Sequence, residues 1–90
     1  MSDELMTEPA FIAQLTDALR QRLPGAKIDF ERIRRDRFRF IVVWEKFEPM
    51  GHPERQKLVW DIADELLNKD ELWNVGMIIT VAPSEINLAD

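Results

Sequence analysis

Three groups of side chains in this 90-residue chain carry chemistry that a substrate or partner could use. The first is His52, the single histidine and so the one side chain that ordinarily titrates near neutrality. The second is a crowd of arginines at 32, 34, 35, 37 and 39, and the third is the run Arg55-Gln56-Lys57. A lone imidazole with neither cysteine nor paired acids beside it builds no metal site and no acid–base dyad. A loop or helix-cap position is the simpler account of His52. The absence of cysteine excludes disulfides, thiolate metal sites and cysteine nucleophiles together. No nucleophile can be paired with a base from the remaining residues, so the chain reads as a non-enzyme with no cofactor and no metal site.

The arginine group has two readings. Alternate residues of a hairpin project to a common face, so Arg32, Arg34, Arg35, Arg37 and Arg39 could meet nucleic-acid phosphates or an acidic protein. Asp29, Glu31 and Asp36 are interleaved with them, however, and a solvated hairpin with cross-strand ion pairs explains the same letters. Net charge is −5. Residues 29–39 hold five Arg against three acids (+2), which leaves seven basic and fourteen acidic residues (−7) on the rest. The pattern is a local cationic patch on an acidic body, a weak footing for phosphate-driven affinity. Only Gly25, Gly51 and Gly76 are present, so no Gly-x-x-Gly loop exists to clamp a nucleic-acid backbone.

Arg55 stands out for its place on a helix. At about 100° per residue it lies about 40° from Val59, inside the apolar stripe, where a guanidinium must find a carboxylate or carbonyls. Either it pins the helix start to the sheet through a structural ion pair, or it contacts a ligand. Trp44, Trp60 and Trp73 read as core or core edge; exposure of Trp60 and Trp73 would instead mark a partner surface.

These residues need elements to position them. Thr7-Glu8-Pro9 is a helix start, Phe11, Ile12, Leu15, Ala18, Leu19 and Leu23 follow at helical spacing, and Pro24-Gly25 ends the run, giving a helix over 8–23. From Lys27 the period becomes two, with Ile28 and Phe30 on one face, until Ile33 breaks it and predicts a bulge or the strand's end. Phe38, Phe40, Val42 and Trp44 then form a second strand, antiparallel to the first. A Pro- and Gly-containing loop over 48–53 leads into a helix beginning near Pro53 and stopping near Asn68-Lys69. Val75–Val81 is apolar on both faces and reads as a central strand; the polar tail SEINLAD closes the chain. The fold class is α+β: a two-layer sandwich in the order α-β-β-α-β, a three-stranded mixed sheet with both helices on one face. The organisation expected is a flexible residue 1–7 segment, one domain over 8–86 and a tail over 87–90. The acidic first ten residues carry no apolar run, and no stretch approaches the ~20 apolar residues of a membrane span, so a cytoplasmic protein is expected.

The stretch from Phe47-Glu48-Pro49 to Glu54-Arg55-Gln56-Lys57-Leu58-Val59-Trp60 resembles the BolA family, whose fold is similar to class II KH domains. Ile41-Val42-Val43, Ala82-Pro83-Ser84-Glu85 and the opening helix fall in register with that family, over residues 8–86. The resemblance implies the α-β-β-α-β fold and a binding role. The chain also departs from the family's pattern, as a divergent member without its His ligand. Pro49 stands where the family has Gly, and Gly51 is displaced. Arg-His-Arg becomes Arg55-Gln56-Lys57. Asn74 occupies the place of the His that ligates an iron–sulfur cluster shared with monothiol glutaredoxins, and a short Arg-rich turn replaces the loop carrying the second ligand.

Three readings follow. The first is a non-catalytic BolA-like interaction or regulatory module that meets a protein through Phe47, His52, Arg55, Lys57 and Trp60. The alternative is a KH-like nucleic-acid-binding regulator using the Arg hairpin. The third, an iron–sulfur partner of a glutaredoxin, requires Asn74 and His52 to adjoin one site.

Overall fold

The computed structural model describes residues 8–87. Helix α1 spans Ala10–Arg22, strand β1 Lys27–Arg34, β2 Arg37–Val43, a 3₁₀ turn Glu45–Phe47, α2 His52–Leu66, α3 Lys69–Asn74, β3 Val75–Val81 and α4 Pro83–Asn87. The expectations for residues 1–7, Thr7 included, fall outside the described residues. Helix α1 starts at Ala10, after an extended Pro9, and buries Phe11, Ile12, Leu15 and Leu19 along one stripe. It ends where the Leu23 N–H closes on the Leu19 carbonyl at 2.8 Å. Gly25 then takes φ +87°, a conformation that side chains with a Cβ resist, and turns the chain into β1.

The β1–β2 hairpin pairs Ile28 with Val42 and Phe30 with Phe40, and leaves Ile33 without a partner between Arg32↔Phe38 and Arg34↔Arg37. The predicted irregularity at Ile33 is therefore a bulge. Its two-residue turn, Arg35-Asp36, contains no positive φ and lacks the turn type that matches strand twist, so the extra twist comes from the bulge.

The sheet order is β1-β2-β3, with β2 antiparallel to β1 and parallel to β3. The central strand is β2, which corrects the expectation that Val75–Val81 is central. The hairpin occupies one edge of β2, and the α2–α3 crossover can deliver β3 only to the other. β3 also carries an extra residue, since Phe38 opposes Val75 but Arg39 opposes Met77. Gly76 is the insertion, and Val75 and Ile78, three apart, are both buried.

Helices α1 and α2 cover one sheet face. Phe38, Phe40 and Val42 point into that layer fully buried, and Phe11 meets Phe38 edge-on at 5.9 Å between ring centres. Dense packing of this kind makes each of these positions sensitive to a change of a single methylene. The opposite face stays uncovered and carries Ile41, Val43, Met77, Ile79 and Val81. No helix among the described residues is long and apolar enough to cross a membrane.

Two short helices were not anticipated. The second long helix ends at Leu66, and Asn68 opens α3 with a reciprocal capping box: its side chain accepts from the Glu71 N–H while Glu71 accepts from the Asn68 N–H. The segment expected as a polar tail begins instead with α4, Pro83 in its first position and Glu85 two residues on.

Candidate partner-binding site

Arg55 is the centre of the best-built polar site. Gly51 precedes α2, His52 and Pro53 open it, and Arg55 lies one turn in on the face that also buries Val59, Ile62 and Ala63. Its residue is 3% exposed. The guanidinium donates to both Glu85 oxygens at 2.9 Å and through Nε to the Met50 carbonyl, also at 2.9 Å. It also lies over the Phe47 ring, 5.6 Å from its centre. The requirement read from the helical wheel is thus met by a carboxylate and a carbonyl together, and the planar fork explains the choice of Arg over Lys.

Glu85 serves two partners. Its Oε1 also accepts the Ala82 N–H at 2.9 Å, half of a capping box at the start of α4. The Arg55 hydrogen bonds, then the Ala82 N–H, hold the carboxyl down at about 2. The same carboxylate raises the Arg55 pKa further, against the burial that opposes it. A second tie runs parallel: Ser84 donates its Oγ to Glu48 at 2.7 Å and its N–H to the other Glu48 oxygen at 3.1 Å. Residues 47–55 are therefore laced to the C-terminal helix at both ends.

Gln56, at the centre of the altered Arg-x-Lys run, is equally committed. Its amide donates to the Ile78 carbonyl at 2.8 Å and to Thr80 Oγ1 at 3.3 Å, and accepts the Trp60 indole N–H at 3.1 Å. It binds α2 to β3 and leaves Trp60 half-buried on the rim.

Of the five residues expected at a partner surface, Phe47 and Arg55 are buried and support the loop from beneath. This corrects their assignment as contact residues. His52 and Lys57 are exposed, Lys57 pairing with Asp61 at 2.8 Å, which raises its pKa. Together with Trp60 they form the accessible rim. Glu85 and Glu48 were missed as members of the site; Pro83-Ser84-Glu85 and Glu48 were visible letters, but nothing in their spacing announced Arg55 and Ser84 as partners.

The five hairpin arginines do not form one patch. Arg32 lies over the Phe38 ring on the helix side and donates to the Arg35 carbonyl. Arg39 is paired with Glu31 across the strands, the ion pair expected of a solvated hairpin. Arg37 stacks on Trp73 at 4.1 Å, and Arg34 and Arg35 are exposed. The glutaredoxin reading fares no better geometrically. With its nitrogen toward the turn, the Asn74 amide donates to the Asp36 carbonyl at 3.1 Å and the Asp70 carbonyl at 3.3 Å, a strut between hairpin and α3. His52 lies near Glu85 at the far end of β3, roughly 20 Å of strand away from Asn74. The two do not share a site. A shallow open groove of about 400 Å³ between Lys27, Val43, Pro83 and Ile86 contains none of the expected residues.

No protein-family model matches the sequence, and no curated protein matches it. Solved structures do. The chain is similar to the BolA domain of SufE1 from Arabidopsis thaliana, with a TM-score of 0.69 and 15% identity over 88% of this chain and 99% of that one. It is also similar to BolA1 from Arabidopsis thaliana, with a TM-score of 0.64 and 20% identity over 87% and 98%. At these identities the likeness is one of fold, and it extends over nearly the whole of each chain.

Proposed function

We propose that this chain, BolA-like in fold, is a non-catalytic adaptor that binds another protein through the 47–55 loop and the adjoining face of α2. The observation that carries this reading is the double lacing of that loop to α4, Arg55 to Glu85 and Glu48 to Ser84. A loop held at both ends loses little freedom when a partner docks, so more of the contact energy is expressed as affinity. His52, Lys57 and Trp60 are the side chains it presents. Arg55 and Gln56 spend their hydrogen bonds internally, which favours a scaffold role over a grip on a small substrate. The cysteine-free composition accords with work in the cytoplasm.

The test is affinity capture from the native extract with the wild-type chain beside a His52→Ala/Lys57→Glu variant. Both positions are exposed, so the variant keeps its melting temperature. A protein retained by the wild type and lost by the variant is the expected result; identical capture by both sinks the proposal.

A further inference from the structure

Three of the largest exposed apolar side chains gather at the hairpin end of the uncovered sheet face. Ile33 is 43% exposed, Trp73 62% and Met77 46%. They are contiguous through Gly76 and Arg37. A Cβ built on Gly76 would meet Arg37 Nε at 3.2 Å, Arg37 Nη2 at 3.3 Å and Ile33 Cδ1 at 3.5 Å. Arg37 in turn lies flat on the Trp73 ring, and Met77 stands opposite Arg39 in the next register position. The bulge residue Ile33, the bulge residue Gly76 and the exposed Trp73 thus converge on one guanidinium.

That guanidinium is held by stacking alone. Arg37 Nε is buried with no hydrogen-bond partner, and no carboxylate contacts Arg37 or Arg34 among the described residues. Arg34 opposes Arg37 across the strands and shares its face. Two uncompensated charges beside an apolar platform, on a chain of net charge −5, form a surface of opposite sign to the rest of the molecule. We infer that this patch docks a short acidic segment of another protein carrying a large apolar side chain, which would rest on Ile33, Met77 and Trp73 while a carboxylate meets Arg37.

Other occupants fit less well. A stable second copy needs about 800 Å² of each partner, far more than three side chains offer. Single-stranded nucleic acid wants successive aromatic platforms, whereas Ile33 and Met77 are aliphatic and one face of Trp73 is taken by Arg37. The patch lies at the opposite end of β3 from the 47–55 loop, so it is independent of the surface proposed above.

The indole protons give a direct readout. Trp44 donates its indole N–H to the Pro24 carbonyl and Trp60 to Gln56, so both report on the interior, while Trp73 is exposed at the patch. The ¹⁵N-labelled chain is titrated with a short synthetic peptide of Glu and Asp around a central Leu-Phe pair. The same peptide with Lys in place of every acid and a thymidine oligonucleotide serve as rivals. The acidic peptide alone is expected to move the Trp73 indole signal saturably, with Trp73→Ala and Arg37→Gln each weakening binding about tenfold or more. Arg34→Glu, at an exposed hairpin position, gives the same loss should either of those variants fail to fold. No saturable shift, equal binding of the Lys peptide, tighter binding of the oligonucleotide, or line broadening with protein concentration alone would each overturn the inference.

Discussion

Replacing Arg55 by Ala removes three hydrogen bonds of 2.9 Å from a residue that is 3% exposed. It also leaves the Met50 carbonyl unanswered, opens a void against Phe47 and unlaces α4 from the loop. Breaking a buried ion pair from one side costs about 3–5 kcal/mol; Glu85 keeps partial access to water, so about 3 kcal/mol is the expected loss. A chain of this size has a total stability of about 5–13 kcal/mol, so the variant folds but only marginally. At about 4–8 °C of melting temperature per kcal/mol, the midpoint should fall by about 12 °C or more. Circular dichroism melts of Arg55→Ala, Glu85→Ala and the double variant measure this. Because the two side chains chiefly serve each other, the double variant should be hardly less stable than Arg55→Ala. A drop under about 3 °C, or fully additive losses in the double variant, would refute the account of the clamp.

The same pair makes stability depend on acid. Glu85 titrates at about 2 when folded against an ordinary 4.5, so its contribution is complete above pH 4.5 and disappears as pH falls toward 2. Wild type and Glu85→Gln should therefore differ at pH 6 and converge near pH 2; a constant gap would contradict the assignment. Asn68→Ala removes the α3 capping box and should cost about 1 kcal/mol by urea unfolding, with Asn68→Asp restoring most of it. Gln56→Ala strands the Ile78 carbonyl and the Trp60 indole, an expected loss of about 1–3 kcal/mol accompanied by a moved Trp60 indole resonance; an unmoved resonance would show that the bridge is absent in solution.

Much of this architecture could be read from spacing because local rules and the final packing agree. Leu15 and Leu19 lie where a helix of period 3.6 must bury them, and Ile33 interrupts a period of two where a bulge occurs. Arg55 inside an apolar stripe demanded a partner, and it has one. The partner's identity was hidden because Glu85 is 30 residues away, and no local pattern encodes which distant carboxylate the fold brings back. Helix α3 was overlooked although Asn68 and Glu71 carry its capping signature, since its six residues are too few to show a period. β3 was misplaced for a different reason. Apolar residues on both faces indicate burial on both faces only when something covers the second, and here nothing among the described residues covers Ile79 and Val81.

The single inserted residue at Gly76 sets the phase of everything after it. Side chains of a strand alternate, so one residue more or fewer inverts all that follow. With Gly76 in place, Ile78 and Thr80 face the helices and Met77, Ile79 and Val81 face outward. A chain that lost this one glycine would turn Met77, Ile79 and Val81 inward and Ile78 and Thr80 outward, while Gln56 and Trp60 lost their anchor. Length, not composition, is the quantity under constraint there: β3 should accept many substitutions at Ile79 and Val81 and not tolerate a one-residue deletion between Val75 and Ile78.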